Sequence, residues 1–271
     1  MLPEHPPPVT VIVPCFNEQA GLPMLLQRLR AMCGDERARD WHVLFLDDGS
    51  TDDTFAELLR VARDEPWVEV VRHHENLGLG AALRTGFAHT RSPIVCTIDS
   101  DCTYPPERLP ELTELLAEGA DIVTASAWHP HSQKTDSNRI RMLLSQTVSG
   151  IYKLLIGQDV YTFTCLFRAY RRESLRRIRF RASGFSAVAE IMLRAMLAGQ
   201  RIREVPMQLQ TRQFGESKLK IGDALLAHVH LLSLTALMVG GRHIRQVLSR
   251  ASRNGEERKG KNQIAKGKSW F

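Results

Sequence analysis

The sequence predicts an α/β fold in which a mostly parallel central sheet is flanked by helices. Short apolar runs alternate with segments of helical spacing along the first half of the 271-residue chain. The apolar runs are continuous, which is typical of strands that are buried on both faces. With 43% hydrophobic and 24% charged residues, the composition suits a large core and excludes a disordered or collagen-like protein.

Each element is predicted from its own stretch of sequence. Continuous or β-branched apolar runs predict strands at 9–13, 43–46, 68–71, 94–98, 122–125 and 165–170, and one or two strands over 202–210. Apolar residues three and four apart predict helices at 22–32, 54–62, 79–89, 109–117, 139–156 and 190–197. The chain shows no internal repeat.

The positive charge lies in the last 30 residues. Residues 242–271 contain nine Lys or Arg and two Glu, a formal charge of +7, so with +6 for the whole chain residues 1–241 come to −1. A nucleic-acid-binding protein is expected to carry its basic residues on the folded domain, so we expect no nucleic-acid partner. The tail reads either as a disordered segment that touches anionic lipid or as a solvated tail without a partner.

The cysteine spacing argues against a disulfide-rich or zinc-binding protein, and the N-terminal residues argue against a signal peptide. The five cysteines are odd in number and show no C-x-x-C spacing, so we expect reduced thiols without a disulfide framework or zinc site. Residues 1–8 have neither a basic nor an apolar region of a signal peptide and are interpreted as a short lead-in to the first strand.

Polar side chains follow three of the predicted strands directly, as Asn17-Glu18, Asp47-Asp48 and Asp99-Ser100-Asp101. Right-handed crossovers place the carboxyl ends of parallel strands at one edge of the sheet, where ligands bind. We therefore expect the three acidic clusters to meet in one crevice.

Asp99 and Asp101 are the candidate metal ligands. Two carboxylates separated by one residue on a turn can both reach one hard cation, Mg²⁺ or Mn²⁺, and leave positions open for phosphate oxygens. Such an ion would neutralise the charge that develops on a leaving diphosphate. An acidic triplet alone is common in turns, so the weight of this prediction comes from its position after a strand.

The other two clusters allow a structural and a functional interpretation. Ser50, Thr51 or Asp52 could cap the following helix while Asp48 accepts hydrogen bonds from a nucleotide base. Asn17 could cap the first helix, or the loop from Pro14 to Glu18 could form one wall of the base and ribose site. Gly78 lies in a glycine turn that opens a helix, but this turn follows the third strand, which argues against a dinucleotide-binding dehydrogenase.

These motifs together resemble family 2 glycosyltransferases. The shared elements are V-x-V-I-V-P-C-F-N-E, L-D-D-G-S-T-D, N-L-G-L-G-A-A-L-R-x-G and I-D-S-D, followed by F-R-A-Y-R-R, E-V-P and R-Q-F-G-E-S-K. They extend over about residues 9–220 and look like the branch of dolichyl-phosphate mannose synthases and bacterial polyprenyl-phosphate glycosyltransferases. The resemblance implies a GT-A fold, a nucleoside-diphosphate sugar linked to GDP or UDP as donor, and Mg²⁺ or Mn²⁺ as cofactor.

The resemblance also assigns roles to residues. Pro14, Glu18 and Asp48 would contact the nucleoside, Asp99 and Asp101 would hold the metal, and Asp101, Arg212 and Lys218 would act in catalysis. Arg212 and Lys218 would lie on a mobile loop near diphosphate or lipid phosphate, although a solvated basic turn is the alternative. The remaining substrate-binding candidates lie in the same motifs or beside them: Asn17, Gly78, Ser100, Arg139 and Arg168.

The chain differs from the dolichyl-phosphate mannose synthase branch at three positions. These differences concern the part of the site that would bind the acceptor. Thr103 stands where those enzymes have Gln, Ala127 stands where they have a phosphate-binding Arg, and Asp159 is displaced from its usual spacing. Arg139 and Arg141 on the predicted long helix could supply the missing positive charge. His129 and His131 could bind metal, but exposed loop histidines are more common.

The expected reaction is inverting transfer of a hexose to an acceptor, which the resemblance implies is a polyprenyl phosphate. A phosphate oxyanion needs no general base, which fits the absence of a well-placed base in these motifs. A sugar hydroxyl or small metabolite as acceptor would instead require a base, with Glu190 or Asp159 as candidates. A non-catalytic nucleotide-sugar-binding protein is the third hypothesis.

The segment 224–241 contains no charged residue, and 18 helical residues would extend ~27 Å, just short of the ~30 Å hydrocarbon core. Its His, Ser and Thr residues favour a helix that packs on the domain or lies in the membrane interface over one that spans the bilayer. We expect a lead-in (1–8), a catalytic domain (9–220), an amphipathic helix (221–241) and a basic tail (242–271), located at the cytoplasmic face of a membrane. The oligomeric state stays open.

Overall fold

The computed structural model describes residues 7–132 and 160–210. All of them belong to one compact unit, Met1–His228, whereas the second unit, Val229–Phe271, lies outside the described residues. Several predictions also fall outside them and stay predictions. These are the helix 139–156, the segments 221–241 and 242–271, and the candidate residues Arg139, Arg141, Asp159, Arg212 and Lys218.

Within the described residues, seven strands form one sheet in the order β3-β2-β1-β4-β6-β5-β7. Their bounds are β1 Val9–Cys15, β2 Trp41–Asp47, β3 Val68–Arg72, β4 Ile94–Thr97, β5 Ile122–Ser126, β6 Arg168–Arg171 and β7 Ile202–Pro206. The predicted α/β class with a mostly parallel sheet flanked by helices is confirmed. Each predicted strand is present, with bounds that differ by a few residues.

Six α-helices lie in the same part of the chain: α1 Leu22–Cys33, α2 Thr54–Asp64, α3 Leu79–His89, α4 Leu109–Ala117, α5 Arg172–Arg176 and α6 Ser186–Leu197. Two short 3₁₀ helices, Glu36–Ala38 and Pro106–Arg108, precede β2 and α4. α3 and α4 have the predicted bounds, and α6 begins four residues before its prediction. α5 was not predicted, because five residues are too few for a periodic pattern.

One strand corrects the expectation that every strand ends at the same edge. β1 pairs in parallel with β2 and β4, β2 with β3, and β5 with β7, but β6 is antiparallel to both β4 and β5. The first residue of β6, Arg168, pairs with Thr97 and Thr124 near the ends of their strands. Arg168 therefore lies at the edge where the other strands have their carboxyl ends.

The sheet is buried on both faces. Val11 and Val13 of β1 contribute to a core cluster with the apolar residues of α1 and α4, whereas Ile12 between them belongs to a second cluster with α3 and α6. This division explains why β1 is a continuous β-branched run, because each face of the strand meets a helix layer.

Two further observations concern membrane-spanning helices and the state of the cysteines. Within residues 7–132 and 160–210, no helix has the length and apolar character needed to cross a membrane. All five cysteines carry free thiols; four are buried, and Cys33 is half-buried.

Candidate functional site

The predicted acidic clusters meet at the carboxyl edge of the sheet. β1, β2 and β4 are neighbours there, and the Asp48 backbone N–H donates to the carbonyl of Cys15 at 2.8 Å. β3 lies on the other side of β2, so the segment after it joins the same edge. The crevice is therefore formed by the ends of four adjacent parallel strands, as expected for an open α/β sheet.

The loop after β1 is joined to the loop after β2 by side-chain hydrogen bonds. Asn17 has a positive φ of 53°, and its Oδ1 accepts from the Thr51 N–H at 2.8 Å. Ser50 Oγ accepts from the Asn17 N–H at 2.9 Å, and Thr54 Oγ1 accepts from the Glu18 N–H at 2.9 Å. Asn17 and Glu18 are thus held beside β2, with Pro14 half-buried at the base of the loop.

Asp48 is buried and holds the segment after β3. Its Oδ1 lies 2.7 Å from His73 Nδ1 and accepts from the Leu77 N–H at 3.0 Å, while Oδ2 accepts from the Gly78 N–H at 2.8 Å. Three donors on one carboxylate fix the path of the backbone toward α3. The predicted contact with a base stays a prediction, and these bonds give Asp48 a positioning role.

Gly78 occupies a position that only glycine fits. Its φ is +87°, and an added Cβ would lie 2.6 Å from the carbonyl oxygen of Ser183. The next turn is equally tight, because the Gly80 N–H donates to the same carbonyl at 2.5 Å. The glycine turn therefore packs against the segment that precedes α6, and this contact explains its sequence.

Glu190 anchors that segment from α6. The carboxylate is 3% exposed; its Oε2 accepts from the N–H groups of Arg181 and Ala182, and its Oε1 accepts from Arg194 Nε at 2.7 Å. Burial opposes the charged form, but the Ala182 N–H, Arg194 and the Arg181 N–H together lower the pKa of Glu190. These contacts indicate a structural carboxylate rather than a proton acceptor.

Asp99, Ser100 and Asp101 follow β4 as half-buried residues at the carboxyl edge of the sheet. Asp101 Oδ1 accepts from the Thr103 N–H at 3.0 Å and also from the Thr103 hydroxyl. Thr103 thus orients the second carboxylate. Thr103 stands where the resembled enzymes have glutamine, and its hydroxyl donates a hydrogen bond to Asp101, a predicted metal ligand.

The turn is further held from α1 and from the segment after β7. Arg28 Nη1 donates to the carbonyl of Cys102 at 3.4 Å and to Gln210 Oε1 at 3.1 Å. The Gln210 N–H donates to the Thr103 carbonyl at 2.9 Å. Cys102 has a positive φ of 54°, which is uncommon for a residue other than glycine, so these bonds stabilise an unfavourable backbone conformation.

The donor set after β4 fits a hard divalent cation. Asp99 and Asp101 supply carboxylate oxygens, the ligands that Mg²⁺ and Mn²⁺ prefer, and both side chains are half-buried where an ion is accessible. Across residues 7–132 and 160–210 there is no group of three or more His, Cys, Asp or Glu side chains that could hold a metal ion.

Arg168 lies at the predicted edge of the sheet. Within the described residues, its side chain forms hydrogen bonds to other protein groups. Its side chain is completely buried; Nη1 donates to the Val188 carbonyl at 2.8 Å, Nη2 to the Phe163 carbonyl at 2.7 Å, and Nε to Thr124 Oγ1 at 3.3 Å. These bonds give the guanidinium a structural role. Its predicted contact with substrate stays a prediction.

Sequence reasoning missed His73 and Arg28. His73 joins Asp48 to α3, since its Nε2 lies 2.9 Å from Thr85 Oγ1 and the side chain is 10% exposed. It follows β3 as the acidic clusters follow their strands, so the same strand-end argument could have found it. Arg28 lies within a helix of ordinary amphipathic pattern, and no sequence signal separates it from other surface arginines.

Comparison with known proteins identifies the family. The profile of the family described as Glycosyl transferase family 2 matches residues 10–179. Undecaprenyl-phosphate 4-deoxy-4-formamido-L-arabinose transferases from Salmonella paratyphi A and Salmonella dublin are 32% identical over 219 residues, which cover 78% of this chain. The chain spans 62% of the length of these relatives.

Solved structures share the fold at lower identity. Glucosyl-3-phosphoglycerate synthase from Mycobacterium tuberculosis, in complex with Mn²⁺, UDP and its product, aligns with a TM-score of 0.64 at 22% identity over 87% of this chain and 80% of that one. Mannosyltransferase PcManGT from Pyrobaculum calidifontis, in complex with GDP-Man and Mn²⁺, aligns with a TM-score of 0.57 at 23% identity over 75% of this chain and 56% of that one. The predicted GT-A fold is confirmed, and the chain belongs to glycosyl transferase family 2.

Proposed function

We propose that this protein transfers a hexose from a nucleoside-diphosphate sugar to a polyprenyl phosphate with inversion at the anomeric carbon. The observation that supports the proposal is the crevice itself, where the segment with Asp99 and Asp101 follows β4 at the same edge of the sheet as the linked loops after β1, β2 and β3. The named activity of the Salmonella relatives supports a lipid phosphate as the acceptor. The ligands named for the two solved structures support a UDP or GDP donor together with Mn²⁺.

Each wall of the crevice has a part in this proposal. The loop containing Pro14, Asn17 and Glu18 would enclose the nucleoside, with Asp48 holding the opposite wall through Gly78. Asp99 and Asp101 would hold Mg²⁺ or Mn²⁺, which supplies charge neutralisation to the leaving diphosphate. Arg212 and Lys218, from the segment after β7, would add positive charge beside the same phosphates.

The acceptor side needs no proton transfer. An oxygen of the acceptor phosphate forms a bond to C1 of the sugar, and the bond from C1 to the diphosphate oxygen breaks, with its electron pair leaving on the nucleoside diphosphate. Because the attacking oxygen is already anionic, a general base has no proton to remove. We further propose that the protein associates with the cytoplasmic face of a membrane, where such an acceptor lies.

The proposal is tested by measuring nucleoside diphosphate release from a panel of UDP- and GDP-sugars with Mg²⁺ or Mn²⁺, with and without a polyprenyl phosphate. We expect release that requires the lipid phosphate and one preferred donor. Equal release without lipid would show a different acceptor. Tight binding of nucleotide without turnover of any donor would favour a non-catalytic binding protein.

Replacing Thr103 with valine is expected to weaken metal binding by about 10-fold, the lower end of the effect seen when the residue that orients a metal ligand is lost. The substitution removes the hydroxyl donor to Asp101 but keeps the backbone donor. Calorimetric titration with Mn²⁺ in the presence of nucleoside diphosphate measures the effect. Thr113→Val is the matched control, because its hydroxyl donates to the Pro110 carbonyl within α4; equal Mn²⁺ affinities of the two variants would contradict the role of Thr103.

Replacing Glu190 with glutamine separates the two acceptor hypotheses. As an anchor, Glu190 contributes stability, so the variant should lose about 1–3 kcal/mol of unfolding free energy and keep kcat within a few-fold. As a general base, its loss would lower kcat by about 10²–10⁴-fold in a protein that folds normally. Urea unfolding and turnover of the same preparations distinguish these outcomes.

The Glu190 contribution also has a defined pH dependence. Its pKa is lower in the folded protein than its ordinary value of 4.5, so the carboxylate stabilises the fold above that value. The stability difference between wild type and Glu190→Gln should therefore be complete at pH 7 and shrink as the pH falls below about 4.5. A difference that grows on acidification would contradict this assignment.

Deleting residues 242–271 tests the proposed role of the basic tail. If the tail contacts anionic lipid, the truncated chain should co-sediment less with vesicles containing phosphatidylserine, by about 1 kcal/mol per basic residue lost from the surface. Sedimentation with neutral phosphatidylcholine vesicles is the control. Unchanged recovery on both kinds of vesicle would remove the tail from the proposal.

A further inference from the structure

A cleft of about 380 Å³ is lined in part by Pro105 and Arg108, which follow the predicted metal ligands in the chain. Its volume lies within the range of about 300–1,000 Å³ that is usual for small-molecule sites. Pro105 and Pro206 form apolar walls, and the polar lining comes from Arg108, His131, Ser132, Gln208 and Gln210. These residues follow β4 and β5 or lie at and after the end of β7, so the cleft lies at the same edge of the sheet as the crevice.

The cleft shares a wall with the acidic turn. Gln210, at one end of the lining, donates its backbone N–H to the Thr103 carbonyl, and Thr103 in turn bonds Asp101. Pro105 follows Thr103 by two residues and lines the cleft directly. A ligand in the cleft would therefore lie beside the short segment that carries the predicted metal ligands.

The lining is suited to an anion. None of the seven lining residues is acidic, and its five polar side chains can all donate hydrogen bonds. Ser132 Oγ is buried and has no hydrogen-bond partner among residues 7–132 and 160–210, an arrangement that leaves a donor available for a ligand.

Arg108 supplies the formal positive charge of the lining. Its Nε and Nη2 donate to the two oxygens of Glu111 at 2.7 and 2.6 Å, which fixes the orientation of the guanidinium. Its Nη1 makes no hydrogen bond to any residue of the described ranges. The ion pair thus orients the arginine and leaves one nitrogen able to bind an oxyanion.

We propose that this cleft binds the phosphate group of the acceptor through Arg108, His131 and Ser132. The proposal rests on the proposed function and extends it by assigning the residues that hold the nucleophile. Bound there, one phosphate oxygen stays directed toward the crevice to form the bond to C1, while the others accept hydrogen bonds from the lining. The polyprenyl chain then leaves through the open side of the cleft.

The test compares the acceptor and donor KM values of Arg108→Gln, His131→Gln and Ser132→Ala with those of wild type. Each substitution should raise the KM for polyprenyl phosphate, by about 10-fold or more for Arg108→Gln, and leave the donor KM within two-fold. Arg37→Gln is the matched control, since Arg37 is an exposed arginine paired with Asp35 and Glu114. An acceptor KM that does not change in Arg108→Gln would overturn the assignment.

Two further arms identify the bound group and separate this inference from the proposed function. A short, water-soluble prenyl phosphate should show the same rise in KM, because the cleft recognises the phosphate rather than the chain. Inorganic phosphate binding, followed by ³¹P relaxation without donor, should weaken in Arg108→Gln whether or not turnover is seen. Absence of lipid-dependent turnover in wild type would reject the function, whereas equal phosphate binding by wild type and variant would reject the cleft.

Discussion

Replacing Asp101 with asparagine is expected to lower kcat for sugar transfer by about 10²–10³-fold, the usual cost of removing one group that stabilises developing charge. Asparagine keeps an oxygen that can accept from Thr103, so the turn after β4 should retain its conformation. What the substitution removes is one negative charge from the pair that would hold the cation. The loss should appear as lower kcat together with a higher Mn²⁺ concentration for half-maximal rate.

Glu118→Gln is the matched control for this substitution. Glu118 is an exposed carboxylate at the end of α4 that pairs with Arg203, and it precedes β5, so it lies at the opposite edge of the sheet. We expect wild-type kcat from Glu118→Gln and unchanged thermal unfolding for both variants. A kcat within three-fold of wild type in a folded Asp101→Asn protein would exclude Asp101 from the reaction.

The sequence predicted the layers of the fold well because each strand is buried on both faces. Val11, Ile12 and Val13 are consecutive apolar residues, since helices cover both sides of β1, and such a run differs from the alternating pattern of an amphipathic strand. α3 and α4 begin and end where their apolar spacing does. Apolar runs and helical spacing are local features, so residues close in sequence are enough to predict where these strands and helices lie.

The direction of β6 could not be predicted in the same way. A strand's periodicity is identical whichever way it runs, and the antiparallel pairing of Arg168 with Thr97 and Thr124 depends on the path of the chain between β5 and β6. The interpretation of Arg168 as a substrate ligand came from its place in the shared F-R-A-Y-R-R motif. The reversed strand buries this side chain between β5 and α6, where it donates to the Thr124 hydroxyl and to the backbone carbonyls of Val188 and Phe163.

The candidate site was predicted in outline but not in its contacts. Strand-end logic correctly brought the loops containing Asn17, Asp48 and Asp99 together, because it depends only on topology. It could not show that the oxygens of Asp48 accept from His73 and two backbone amides, since these donors lie 25 to 30 residues away. Which carboxylate positions a loop and which faces a ligand is decided by tertiary contacts.

Replacing Arg168 with methionine is expected to destabilise the fold by about 2–4 kcal/mol. The side chain has a similar length, so the main change is the loss of donors to the Phe163 and Val188 carbonyls, each of which costs about 1–3 kcal/mol when left buried without a partner. Part of this cost is offset because a buried charge no longer has to be desolvated. Urea unfolding of the purified variant at neutral pH measures the difference.

The Arg168 result also decides between the two roles considered for this residue. Arg176→Met is the control, because Arg176 is exposed on α5 and its replacement should change stability by less than about 0.5 kcal/mol. If Arg168→Met unfolded at the same urea concentration as this control but required far more substrate for half-maximal rate, Arg168 would be a substrate ligand. Lower stability with an unchanged KM in the folded fraction would establish it as the buried link between β5, β6 and α6.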